Sequence, residues 1–121
     1  MKRDLTKSQM RKGVLELIIL GALSQKKFYP PELAQYLRDL GLEISEGTLY
    51  PLLTRLKNDK HLMYQWKESL IGPPRKYYSI TDRGRRLLEE LKIQWQSLLF
   101  AVNSTVYKKL DEESKEKGSS D

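Results

Sequence analysis

At 121 residues the chain has room for one ordinary domain and little left for a second core. Lysine and arginine number 22 against 16 aspartates and glutamates, a formal charge of +6 and a pI near 9.5, which favours a polyanionic partner. A hydrophobic fraction of 39% argues against a wholly disordered basic chain. With no cysteine, disulfide frameworks, thiol nucleophiles and thiolate zinc sites are excluded, and a reducing cytoplasm is the expected location. The longest apolar run, Val14 to Leu23, is interrupted by Glu16 and Gly21 and is too short for about 30 Å of hydrocarbon. The polar stretch Thr6 to Lys12 before it and the lack of a small-residue cleavage site fit a secretory signal poorly. A soluble protein with no membrane partner is expected.

The first periodic segment starts near Ser8 and carries Met10, Val14, Leu15, Leu17, Ile18, Leu20, Ala22 and Leu23 around much of a helix, which predicts a central, largely covered element. Lys26 and Lys27 suit its negative C-terminal end. Tyr29-Pro30-Pro31 stops it and begins a short second helix with proline in the first turn, and Gly41 follows where that helix should end. Ser45-Glu46-Gly47-Thr48 reads as a capped start for a third helix with Leu49, Leu52, Leu53 and Leu56 at helical spacing. On a wheel of about 100° per residue, Gly47, Pro51, Thr54 and Asn58 point away from the leucines, flanked by Tyr50, Arg55 and Lys57. Because proline is tolerated in a first turn and costs about 3 kcal/mol deeper in a helix, Pro51 also allows a start nearer Thr48.

Two aromatic-rich strands are predicted next, Leu62 to Glu68 and Lys76 to Thr81, with Tyr64 and Trp66 on one packed face and a turn at Ile71-Gly72-Pro73-Pro74-Arg75. Three helices followed by a hairpin make a winged helix-turn-helix, the alternative being a generic mixed domain whose hairpin merely caps the core. A last helix opens at Thr81-Asp82-Arg83-Gly84 and is expected to run to Leu110, where the charged tail 111–121 reads as disorder. Leu88, Leu91, Trp95, Leu98 and Val102 follow spacings of three and four, and Leu87, Leu99 and Val106 widen the stripe. Such a helix is longer than a small head needs, so either a second copy covers it or it folds back on its own domain. The fold class is mainly α with a small β-hairpin. It divides into a winged helix-turn-helix head at 1–81, a long helix at 82–110 that is a candidate for dimerisation, and the tail.

Catalytic chemistry finds little to stand on. His61 is the only histidine and is expected at a solvent-facing turn. No phosphate-binding glycine loop occurs, and the pairs Glu89-Glu90 and Glu112-Glu113 splay apart on a helix. No enzyme, cofactor or metal site is expected. Positive charge, by contrast, is grouped: Lys2, Arg3, Lys7, Arg11 and Lys12 form a basic N-terminal arm, and Arg75, Lys76, Arg83, Arg85 and Arg86 gather around the hairpin and the next helix start. In a winged-helix head these groups would converge on one duplex surface.

The segments Glu46 to Leu56, with Thr48-Leu49-Tyr50-Pro51, and Gly72 to Gly84, with Arg75-Lys76-Tyr77-Tyr78, resemble the PadR family of bacterial transcriptional regulators. With one C-terminal helix, the chain is similar to the short subfamily. The resemblance implies a cytoplasmic homodimeric repressor that binds a roughly palindromic double-stranded operator. Its third helix would lie in the major groove, its wing along the backbone or minor groove, and its last helix would be exchanged with the partner. Thr48, Tyr50, Pro51 and Thr54 then fall on the recognition helix and Gly72, Pro73, Pro74, Arg75 and Lys76 on the wing, with Lys2, Arg3 and Lys7 as further DNA contacts. Arg55 would hold a phosphate or an intramolecular carboxylate. Trp95 falls where some short members bind flat aromatic compounds at the dimer centre, and it equally suits a plain packing anchor. The alternatives are a winged-helix protein-interaction module and a DNA-binding regulator with no small-molecule effector.

Overall fold

The computed structural model describes the backbone of residues 2–107 and the side chains of residues 14–107. Helix α1 spans Lys2–Gln25 and begins earlier than Ser8, so the expected basic arm is helical backbone. Nothing between Lys2 and Ser8 breaks a helix, and Lys, Arg and Leu there are good helix formers. As expected, α1 sits in the middle: Ile19 and Leu20 are fully buried, with Leu15, Ala22 and Leu23 beside them. After α1, Phe28 and Tyr78 exchange backbone hydrogen bonds of 3.2 and 2.8 Å, which ties the connection to the sheet.

Helix α2, Pro30–Asp39, starts at an extended Tyr29 with proline in its first turn. It ends in a Schellman turn: Gly41, at φ +89°, donates to the Arg38 carbonyl and Leu42 donates to that of Leu37. Helix α3, Glu46–Asn58, starts after Ser45 and runs through Pro51. The proline removes one donor to the Gly47 carbonyl, yet burial of Leu49, Leu53 and Leu56 at no more than 1% exposure holds the helix across it. The end of α3 is another Schellman turn, in which Lys60 takes the left-handed position at φ +66° that glycine usually fills.

Strands β1, Leu62–Ser69, and β2, Gly72–Ile80, form one antiparallel hairpin with Leu62 opposite Ile80, Tyr64 opposite Tyr78 and Trp66 opposite Lys76. The turn is Leu70-Ile71, earlier than the glycine and prolines suggest. Pro73 and Pro74 lie within β2 at a register shift, the two of them opposite Glu68 alone and neither a paired position of the ladder, the kind of place where a strand accepts proline. Leu62, Tyr78 and Ile80 reach the core, whereas Trp66 is 65% exposed, so the outer half of its sheet face looks to solvent and is not a packing face.

Helix α4, Asp82–Val102, is followed by a π-helical turn, Asn103–Tyr107. The rest of the predicted helix to Leu110 and the tail 111–121 lie outside the described residues. Thr81 caps α4 as expected: its Oγ1 accepts the Gly84 N–H at 3.0 Å and donates to the Lys60 carbonyl at 2.7 Å. Two compact units result, Met1–Leu88 and Glu89–Asp121, with the first turns of α4 belonging to the head.

Gly84 lies against the chain where α3 meets β1; a Cβ there would collide with the His61 carbonyl and come within 2.7 Å of Ile80 Cγ1. Gly84→Ala is therefore expected to destabilise the head by about 2–3 kcal/mol. Lys60→Gly, which relieves the left-handed backbone, should stabilise it by about 1 kcal/mol. Urea denaturation followed by circular dichroism measures both, and equal midpoints for the two variants would contradict this account of the junction.

Candidate nucleic-acid interface

Burying three leucines of α3 turns the opposite side of the helix outward. Gly47, Pro51, Thr54 and Asn58 are exposed, as the helical wheel places them, and so are the flanking Tyr50 and, at the start of the helix, Thr48. The face carries hydroxyl and amide groups able to donate and accept hydrogen bonds on base edges. At its N-terminal end Ser45 Oγ and Thr48 Oγ1 lie 3.1 Å apart, so these hydroxyls satisfy each other and Ser45 does not cap the helix through its side chain. Arg55 takes the carboxylate alternative and pairs with Glu16 of α1, linking the central helix to α3.

On the wing, Arg75 is exposed and stacks 4.7 Å from the centre of the Tyr29 ring, which in turn packs on Tyr77. Lys76 is half-buried, its ammonium 4.0 Å from the Tyr64 ring centre, 5.4 Å from Tyr78 and 5.9 Å from Trp66. Both charges are thus held on aromatic faces, which fixes their direction. Lys67 stands opposite Arg75 in the ladder and over Tyr77, and the sequence reading passed over it; antiparallel register counted back from the turn would have found it once the turn was correctly placed. Leu70 and Ile71, at the tip, are also new candidates.

Arg83, Arg85 and Arg86 are exposed at the start of α4, at the far end of β2 from the tip, with β2 rising about 3.3 Å per residue between them. The side chains of Lys2, Arg3, Lys7, Arg11 and Lys12 lie outside the described residues. His61 is half-buried, not solvent-facing; its carbonyl accepts the Thr81 N–H, and its buried Nδ1 has no partner among the described residues. Among those residues, no cluster of potential metal ligands occurs and no helix is long and apolar enough to cross a membrane.

Among the described residues the apolar stripe of α4 is left open, with Trp95, Leu98 and Val102 exposed and Leu91 half-buried. Ile93 and Phe100, seven residues apart, are exposed on the opposite side of the helix and form a second apolar line that the reading of the seam left out.

The profile of the transcriptional regulator PadR-like family matches residues 19–90. The chain belongs to the PadR-like family. It is 50% identical to a PadR-like transcription factor from Bacteroides fragilis, with a TM-score of 0.71 over 82% of this chain and 96% of that one. To a PadR-like transcriptional regulator from Bacillus cereus it is 44% identical, with a TM-score of 0.75 over 81% of this chain and 96% of that one. An uncharacterized protein of Lysinibacillus sphaericus is 31% identical over 94 residues, 75% of this chain and 86% of the relative. The protein is therefore a DNA-binding transcriptional regulator with a winged-helix head, and not an enzyme.

In this PadR-like regulator one titratable group of the outward face is perturbed. The Tyr50 phenol is raised above its usual 10.0 by partial burial and by Glu46, whose carboxylate repels the phenolate and accepts the hydroxyl's hydrogen bond. With the folded pKa above the unfolded one, the stability this brings is fully present below pH 10.0 and lost as pH rises through the folded value. Phenolate absorbance, with Tyr50→Phe as the subtracted reference, should place Tyr50 above the ordinary tyrosine range and Glu46→Gln should bring it down. An unchanged titration in Glu46→Gln would contradict the pairing.

Proposed function

We propose that the protein is a homodimeric repressor of the short PadR subfamily, with residues 82–110 as its dimerisation helix. Two copies clasp through α4, with Leu88, Leu91, Trp95, Leu98 and Val102 as the seam, and present two heads to a roughly palindromic operator. Half-sites about 10 to 10.5 bp or a multiple apart follow from the twofold axis. The outward face of α3 is the observation that carries this reading: exposed Thr48, Tyr50, Pro51 and Thr54 on a helix anchored by buried leucines match a recognition helix in the major groove. The wing residues Gly72 to Lys76 then follow the backbone or minor groove, with Arg75 and Lys76 aimed by the aromatic rings beneath them. Lys2, Arg3 and Lys7 on α1 supply further phosphate contacts.

An apolar stripe with Trp95 in it supports dimerisation, because a long helix in water buries such a face against another helix. Ile93 and Phe100 on the other side call for a second neighbour, which exchange of α4 with the partner supplies. Two Trp95 rings related by the twofold axis make a slot for a planar aromatic molecule that relieves repression. A nucleoid-containing cytoplasm is the place of action.

Fluorescence anisotropy with a duplex from upstream of the protein's own gene tests the DNA contacts. Arg75→Ala and Lys76→Ala should each weaken binding to all sequences alike and reduce the salt slope by about one, whereas Thr54→Ala should change discrimination between operator variants. Equal loss of affinity at unchanged salt slope would remove the phosphate role. In a Trp66→Phe background, quenching of the remaining tryptophan by a planar aromatic dye, with release of the duplex, is expected; a dye that binds equally well to Trp95→Ala would contradict the slot.

A further inference from the structure

Leu70 and Ile71 make the two-residue turn of the wing, a place where glycine, asparagine and aspartate normally stand. Their exposures are 105% and 91%, so among the described residues they contact almost nothing and contribute nothing to the core. Even so, the tip is built to hold them. The Ile71 N–H donates to Ser69 Oγ at 3.3 Å, and Gly72 at φ +135° lets a turn of negative-φ residues rejoin the ladder. Pro73 and Pro74 stiffen the returning strand. Behind the tip Lys67 and Arg75 face each other across the strands, and Lys76 follows. Glu68 is the only carboxylate of the hairpin.

We propose that Leu70 and Ile71 form an apolar wedge that enters the minor groove and makes the wing select against guanine. The inference rests on the DNA-docking reading above and assigns the wing its own specificity. The body of a two-stranded ribbon, its backbones about 4.8 Å apart before atomic radii are added, is wider than the minor groove's roughly 6 Å, so only the side chains of the tip enter it. Lys67 and Arg75, paired across the strands just behind the tip, are near enough to it to meet phosphates that border the groove once the aliphatic pair has entered. On A·T pairs that floor carries only acceptors set low in the groove. On G·C pairs the guanine amine projects into it, so it obstructs the wedge sterically and adds one more polar group that the wedge strips of water. Flexible pyrimidine–purine steps would in addition open to such side chains. The positive charge of Lys67, Arg75 and Lys76 calls for a polyanion, and two aliphatic side chains alone make a small bilayer anchor, so duplex DNA is the occupant assigned.

Three alternating copolymer duplexes separate the groove from the base: dA-dT, dI-dC and dG-dC. Inosine lacks the minor-groove amine but keeps the major-groove edge of guanine, so the full-length protein should bind dA-dT and dI-dC alike and dG-dC roughly fivefold or more weakly. Leu70→Ser/Ile71→Ser, a change at a fully exposed turn with an expected unaltered melting temperature, should bring all three within about twofold while the salt slope stays the same. Binding of dI-dC as weak as that of dG-dC, or undiminished discrimination in the double variant, would overturn the wedge. Should no copolymer bind at low ionic strength, the DNA-docking reading itself fails. Sedimentation with phosphatidylglycerol vesicles, lost in the double variant, would instead assign the tip to membranes.

Discussion

Everything in the head follows from where the leucines of α3 must go. Leu49, Leu53 and Leu56 are withdrawn from water, and because an α-helix turns once every 3.6 residues, this decides that Gly47, Tyr50, Pro51, Thr54 and Asn58 face outward. A one-residue shift of that register would rotate the face by about 100° and offer leucines to solvent. Packing also explains how Pro51 is accommodated within the helix. The lost backbone hydrogen bond is local, whereas the apolar contacts that hold α3 lie on both sides of it. Glu16 adds a polar tie from α1 to Arg55, at a site exposed enough that its worth is orientation more than stability.

A second junction fixes the wing to that helix. Lys60 in its left-handed turn, Thr81 Oγ1 on the Lys60 carbonyl, and Gly84 against the His61 carbonyl bring the end of α3, the base of the hairpin and the start of α4 to one place. The ribbon therefore leaves the head in a set direction. Along it, the cationic groups lean on aromatic rings and do not hang free, which limits the entropy lost when a phosphate is met.

Much of this was legible in the chain itself. Helical spacing of leucines located α3 and its outward residues, and Tyr29-Pro30, Gly41 and Thr81 marked boundaries because each meets a local backbone demand that no distant contact alters. Misreadings arose where the deciding factor was not local. The run from Lys2 to Ser8 offers three cap-type residues, Asp4, Thr6 and Ser8, and no breaker, so local signals do not single out the beginning of α1. Gly72-Pro73-Pro74 reads as a turn, but a bulge makes proline acceptable inside β2 and moves the turn onto two aliphatic residues that carry no turn signature. Alternation put Tyr64 and Trp66 on one face correctly, yet it cannot say how far along a strand that face stays covered. Likewise Arg55 had two partners open to it, and only the placement of Glu16 chose between them.

The central claim is that one copy of α4 asks for another. Sedimentation velocity across the micromolar range tests it most directly, with Leu98→Lys as the comparison. Wild-type protein should travel as a species of about twice 14.2 kDa and bind a duplex as two chains, while the lysine variant sediments as one chain with an intact head by circular dichroism. A single-chain mass for the wild type throughout that range, unchanged when DNA is added, would contradict the account.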